Sequence, residues 1–195
     1  MRRLLVIDDH VPSRENLRRA LGVSGCEIVG EGESGNGAVQ LASATIPDAI
    51  LMAVGLSDLD GIRAARKIMQ VTPFPIILLT SHYDFETIER AKRAGVMGFL
   101  LKPLREGELL PAIELAVSHF HEFIALRKEN ESLKKTLEAR KVIERAKGIL
   151  MSSRGLSEEQ AFSLIQKKSM DLRKPMSEIA QAVILSEELS KAKSD

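Results

Sequence analysis

PDAILMAVGLSDLDG, residues Pro47–Gly61, runs through six apolar or small side chains from Ala49 to Val54 and then turns on Gly and Asp. An apolar run that short, closed by turn residues, reads as a strand buried on both faces. At its C-terminal end it delivers Ala53, a side chain with no chemistry of its own. On either side the pattern repeats. RRLLVID is a strand and PSRENLRRALGV a helix closed near Gly22; CEIVGEG and NGAVQLASAT form the second such pair. DGIRAARKIMQV follows the quoted strand, FPIILLT and FETIERAKRAG come next, and GFLLKP leads to a helix that begins near Glu106. Five strand–helix units predict a five-stranded, doubly wound parallel sheet over residues 1–118, with ligands gathering beyond the C-terminal strand ends.

The composition suits a folded protein with one ordinary domain and a smaller module: 195 residues, 44% apolar and 28% charged. No run of membrane-spanning length is read, and Met1-Arg2-Arg3 leads straight into LLVIDD with no cleavage-site pattern, so a cytoplasmic address and no membrane partner are expected. Cys26, the single cysteine, excludes an internal disulfide and a cysteine-cluster metal site and is read as a packing residue. The net charge of +1 is unevenly spread. Residues 1–118 hold 13 basic and 15 acidic side chains, whereas 133–174 hold 11 basic and 5 acidic. That excess is a footprint compatible with nucleic acid, though solubility alone produces similar surfaces.

Beyond the sheet the chain turns all-helical. Leu109, Ile113, Ala116, Phe120, Phe123, Leu126, Asn130, Leu133 and Leu137 recur at near-heptad spacing. This predicts a long helix, with a coiled-coil-like linker over 119–136, that pairs with another chain as a homodimer or folds back on its own domain. Residues 137–190 read as a small three-helix all-α domain. Gly155 is a C-terminal stop, Ser157-Glu158-Glu159-Gln160 a capping box, and Pro175 suits the first turn of the last helix. Its core is expected to use Ile143, Ile149, Leu150, Ala161, Phe162, Leu164, Ile165, Ile179, Ala180 and Val183, and the final KAKSD is expected to fray. With Phe162 placed in the core, stacking on exposed bases looks weak and contacts to phosphate are favoured.

Asp8 and Asp9 end the first strand, Thr80 the fourth and Lys102 the fifth, where Pro103 restricts Lys102 to an extended backbone. Two carboxylates, a hydroxyl and an ammonium around one strand end would hold Mg²⁺ and a phosphoryl group. Taken singly, Asp8 could instead cap the following helix and Lys102 pair with Asp9. Asp58 and Asp60 lie on the turn, too far along to place a reacting carboxylate at Ala53. His10 and His82 are read as structural or solvent-facing. No nucleophile is paired with a base, so an enzyme is not expected.

Through LLVIDD, PDAILM, GLSDLDG, PIILLT and AGVMGFLLKP, residues 1 to about 118 resemble the receiver domain of two-component response regulators, a flavodoxin-like fold. The resemblance implies that Asp8 and Asp9, with the Gly55 carbonyl, bind Mg²⁺, and that Thr80 and Phe99 are the switch hydroxyl and aromatic. It also implies that Lys102 is the phosphoryl-site lysine and that Ala53 stands where an aspartate accepts phosphate. Mg²⁺ binding is then expected to be weakened, and no acyl phosphate is expected on this chain. A sensor histidine kinase would serve only a version carrying Asp at position 53. Ser57 departs from the usual proline.

LEARKVIERAKGILMSSRGLSEEQAFSLIQKKSM and MSEIAQAV, within about 133–185, resemble the ANTAR domain of RNA-binding antitermination regulators. Signature positions fall on Arg140, Ala146, Lys147, Gly148, Ala161, Phe162 and Ser169. Arg140, Lys147 and Arg173 or Lys174 are the candidates for contact with paired RNA hairpins in nascent transcripts, and an RNA binder should gather Arg140, Lys147 and Lys174 on one face. The alternative is a phosphorylation-independent regulator that docks a protein partner through the linker helix and the receiver face around Phe99 and Lys102.

Overall fold

The computed structural model describes residues 1–82 and 84–191; most of the KAKSD end lies outside them. The chain forms two compact units, 1–124 and 125–195. In the first, β1 (Arg3–Ile7), β2 (Glu27–Gly32), β3 (Ala49–Ala53), β4 (Ile76–Thr80) and β5 (Gly98–Leu101) alternate with four helices. These are α1 (Val11–Val23), α2 (Gly35–Thr45), α3 (Gly61–Val71) and α4 (Phe85–Ala94). The sheet is wholly parallel, in the order β2-β1-β3-β4-β5.

Strand alternation sorts the apolar side chains onto two faces. Leu5, Ile7, Ile50, Met52, Ile76 and Leu78 face α2, α3 and α4. Leu4, Val6, Leu51, Ile77 and Leu79 face α1 and the helix after β5. Each fully buried Leu or Ile here contributes about 1.5–3 kcal/mol. The order reverses between β1 and β3, so their C-terminal ends open a crevice. Registers of Ile7 with Met52, Ala53 with Leu79 and Thr80 with Leu101 bring the ends of β1, β3, β4 and β5 level. Gly61 closes that rim. A Cβ there would sit 2.0 Å from the Ala53 carbonyl oxygen, and its N–H donates to the Val54 carbonyl at 2.9 Å.

The helix after β5, α5 (Glu106–Arg154), runs unbroken for 49 residues. One window within Gly107–Arg154 is long and apolar enough to cross a membrane by length and composition, which corrects the expectation that no such run exists. Core helices of soluble domains pass the same test, and Leu109, Ile113, Ala116, Val117 and Phe120 are indeed buried. The heptad stripe therefore has two fates. Its first half is receiver core, while Phe123, Leu126, Leu133 and Leu137 are exposed.

The second unit packs the end of α5 with α6 (Glu158–Leu172) and α7 (Met176–Lys191). Ala146, Leu150, Ala161, Ile165, Ala180 and Ile184 form its centre, with Ile143, Ile149, Leu164, Ile179 and Val183 packed around them. Gly155 takes a φ of 64° at the end of α5, and Ser157 caps α6 in a complete capping box. Phe162 is a correction: it is 41% exposed, because Ala161 and Ile165 already fill the inward stripe of α6.

Candidate functional site

At the crevice, Asp8 is buried and every oxygen it offers is engaged. Its carboxylate accepts the Ser13 hydroxyl at 2.7 Å and the His10 N–H at 3.1 Å, and it forms an ion pair with Lys102. Burial pushes the Asp8 pKa up. The Lys102 ammonium, Ser13 and His10 together outweigh that, and the carboxyl stays below its ordinary range. Lys102 precedes a cis bond to Pro103. From the end of β5 its side chain reaches past β4 and β3 to β1, so its partner is Asp8 and not Asp9. Asp8 does not cap α1 either; the N-cap is His10, without a side-chain bond. Asp9 is half-buried and Gly55 exposed.

Ala53 is buried at 3% exposure, a methyl group at the end of β3. The two nearby carboxylates are committed elsewhere. Asp58 accepts the Ser34 hydroxyl at 2.7 Å, the Gly35 N–H at 2.8 Å and the Asn36 N–H at 3.1 Å, which pins the start of α2 and holds its pKa far below the usual carboxylate value. Asp60 caps α3 through the Ile62 N–H at 2.9 Å and pairs with Arg90. Thr80 donates its hydroxyl to the His82 carbonyl at 2.5 Å. Phe99 is half-buried against the α2–α4 side of the sheet. Cys26 packs on the opposite side, and burial pushes its thiol pKa up.

For a divalent cation the donor set fits poorly. Hard cations need several free oxygens. Here Asp8 already accepts two hydrogen bonds and an ammonium, and position 53 offers carbon. Among the described residues no three His, Cys, Asp or Glu side chains converge to hold a metal.

In the helical unit the basic residues divide into held and free. Lys147, 7% exposed, is clasped by Glu144 at 2.9 Å and Glu158 at 2.7 Å. Bonds to Glu158 first, then Glu144, raise its pKa, and Lys147 in turn lowers that of Glu158. Lys147 thus ties α5 to α6, and the expected cluster of Arg140, Lys147 and Lys174 on one open face does not form. Lys174 is exposed and paired with Glu178. Arg140 and Arg173 are exposed, with no ion pair among the described residues; Arg154 and Lys167 share that state. Arg173 occupies the left-handed region, φ 52°, at the α6–α7 turn. That turn is tied by Ser169, whose hydroxyl donates to the Lys174 carbonyl at 2.5 Å.

Sequence reasoning missed Ser13, the clamp made by Asp58 and the tie made by Ser169. Ser13 and Ser169 each lie five residues from their partners, a local spacing open to reading. Asp58 lies 22 to 24 residues from its partners and left no local signal.

The response regulator receiver domain family matches residues 4–114, and the ANTAR domain family matches 131–184. The transcriptional regulatory protein PdtaR of Mycobacterium tuberculosis is 43% identical over 183 residues, covering 94% of this chain and 89% of that protein. The receiver domain of NarL from Mycobacterium tuberculosis has 31% identity and a TM-score of 0.57, over 60% of this chain and 96% of its own. The receiver domain of a modulated diguanylate cyclase from Desulfovibrio desulfuricans G20 has 32% identity and a TM-score of 0.59, over 62% and 97%. PdtaR is a transcriptional regulatory protein. With its receiver followed by an ANTAR domain, the chain belongs to the response-regulator family, in the architecture of RNA-binding antitermination regulators.

Proposed function

We propose that this protein binds paired RNA hairpins in nascent transcripts through Arg140 and Arg173, supported by Arg154 and Lys167, and that its receiver is silent to phosphorylation. The observation that carries the silent receiver is the Lys102–Asp8 ion pair at a crevice whose β3 position is Ala53. The ammonium that would meet phosphoryl oxygens is neutralised by Asp8, and a methyl group cannot form an acyl phosphate. Asp58 and Asp60 cannot substitute, since each is fastened to a helix start. Asp9, Asp8 and the Gly55 carbonyl leave at most a weak Mg²⁺ site, and a sensor histidine kinase becomes a partner only for Ala53→Asp. The place of action is the cytoplasm, where nascent transcripts are made.

Free, exposed cations favour the RNA reading over a neutral docking surface, because phosphate contacts need charges not already spent on carboxylates. The test is the affinity of the full chain for a two-hairpin RNA across a salt series, with and without acetyl phosphate and Mg²⁺. Expected is binding that weakens steeply with salt and ignores acetyl phosphate. Absent or salt-independent binding overturns the RNA role; a response to acetyl phosphate overturns the silent receiver.

A further inference from the structure

A cavity of about 660 Å³ opens beside the crevice, between α1 and the chain that leaves β5. Cavities of that size take small organic ligands. Spacing along α1 explains its wall. Pro12, Asn16 and Arg19 recur at intervals of four and three residues and so share one face of the helix. Ala20, Pro103 and Leu104 add apolar surface, and Lys102 borders both the cavity and the crevice.

Charge identifies what fits. Among the described residues no carboxylate lines the cavity, whereas two permanent cations do. Lys102 is balanced by Asp8. Arg19 has no ion pair among the described residues; its Nη2 donates to the side-chain amide oxygen of Asn16 at 2.5 Å, one turn back. A neutral amide holds the guanidinium in place without neutralising it, and most of its five N–H groups stay open. One uncompensated cation matches one negative charge, and a planar carboxylate meets a guanidinium through two parallel hydrogen bonds. Inorganic phosphate would leave the apolar wall uncovered. An uncharged apolar molecule would cover the wall and strip water from Arg19 without replacing it. A carboxylate on an apolar body satisfies both.

We propose that this cavity binds a small organic carboxylate, its apolar body against Pro12, Pro103 and Leu104 and its head group paired with Arg19. Lys102 donates one of its three N–H groups to Asp8 and has the others for the same ligand, so occupancy acts on the ion pair at the crevice. The ligand gives the receiver an input that needs no acyl phosphate. The proposal stands apart from RNA binding; a chain that took up the carboxylate and ignored hairpin RNA would end that reading and leave this one.

The test is a titration of the full chain, labelled with ¹⁵N, with 1-naphthoate, 1-naphthalenemethanol and inorganic phosphate, followed by amide NMR shifts. Expected is saturable 1-naphthoate binding with a dissociation constant below about 1 mM, with shifts centred on residues 10–20 and 102–104. The neutral alcohol and phosphate are expected to bind at least about tenfold more weakly, since each lacks one of the two parts. Arg19→Gln keeps the length and removes the charge; it is expected to weaken 1-naphthoate by about tenfold and leave the alcohol unchanged. Pro12→Glu sets a carboxylate in the wall at an exposed site whose helix has no acidic residue in its first turn, and is expected to abolish 1-naphthoate binding in a folded chain. No saturable binding, shifts spread over other surfaces, phosphate or the alcohol binding as tightly as 1-naphthoate, or affinity unmoved by Arg19→Gln and Pro12→Glu each overturns the proposal.

Discussion

At the scale of single residues, the receiver turns on which atoms Lys102 and Asp8 present to each other. With Ala53 between their strands, the ammonium has no closer anion and takes the buried carboxylate of Asp8. Asp8 is in turn held ionised by that ammonium, Ser13 and His10 against the cost of burial. Ala53→Asp adds a second carboxylate at the crevice, creating both a nucleophile and the missing oxygen ligand. Intact mass spectrometry after acetyl phosphate and Mg²⁺ is expected to show about 80 Da added to Ala53→Asp and nothing added to the parent chain. An adduct on the parent chain would place the reactive group elsewhere. No adduct on the variant would mean that Lys102 keeps its hold on Asp8 and that the crevice is inert beyond position 53.

At the scale of elements, the α6–α7 turn combines a left-handed backbone with an exposed cation. Arg173 caps α6 with a positive φ that glycine adopts freely and an L side chain adopts at a cost of roughly 1 kcal/mol. Its side chain meanwhile stands exposed and unpaired among the described residues. Strain kept at a surface cation is what a contact residue would explain. Arg173→Gly is accordingly expected to raise the unfolding free energy of the helical unit by up to about 1 kcal/mol while weakening RNA binding. Denaturation followed by circular dichroism, set beside an RNA titration, separates the two effects. If affinity is unchanged, Arg173 is a cap residue and nothing more. Lys147 shows the opposite case. Its charge is consumed inside the α5–α6 hairpin by Glu144 and Glu158, so it supports the surface without belonging to it.

At the scale of the whole molecule, the net charge of +1 conceals a division of labour. Over residues 1–118 the 15 acidic side chains outnumber the 13 basic ones, and Arg14 pairs with Glu31 and Glu33, Arg18 with Glu31 and Arg2 with Glu114, whereas 133–174 hold 11 basic and 5 acidic. The helical unit leaves several cations unbalanced. Each phosphate contact releases counterions, so Arg140→Ala is expected to lower the slope of log affinity against log salt by about 1 while leaving the folded state unchanged. The measurement is the same salt series on the variant, and an unaltered slope removes Arg140 from the interface.

The amino-acid sequence by itself determined the order of strands and helices, the two-sided burial of β1, β3 and β4, the capping box at Ser157 and the methyl group at position 53. These are properties of spacing and of side-chain identity, and both are written along the chain. Only the tertiary structure decided that Lys102 pairs with Asp8, that Asp58 and Asp60 are committed to helix starts, that Phe162 faces outward and Lys147 inward, and that the heptad stripe divides after Phe120. Periodicity says that a helix has an apolar stripe but not which neighbour covers it. A long polar side chain finds its partner through space, across residues that local spacing does not relate.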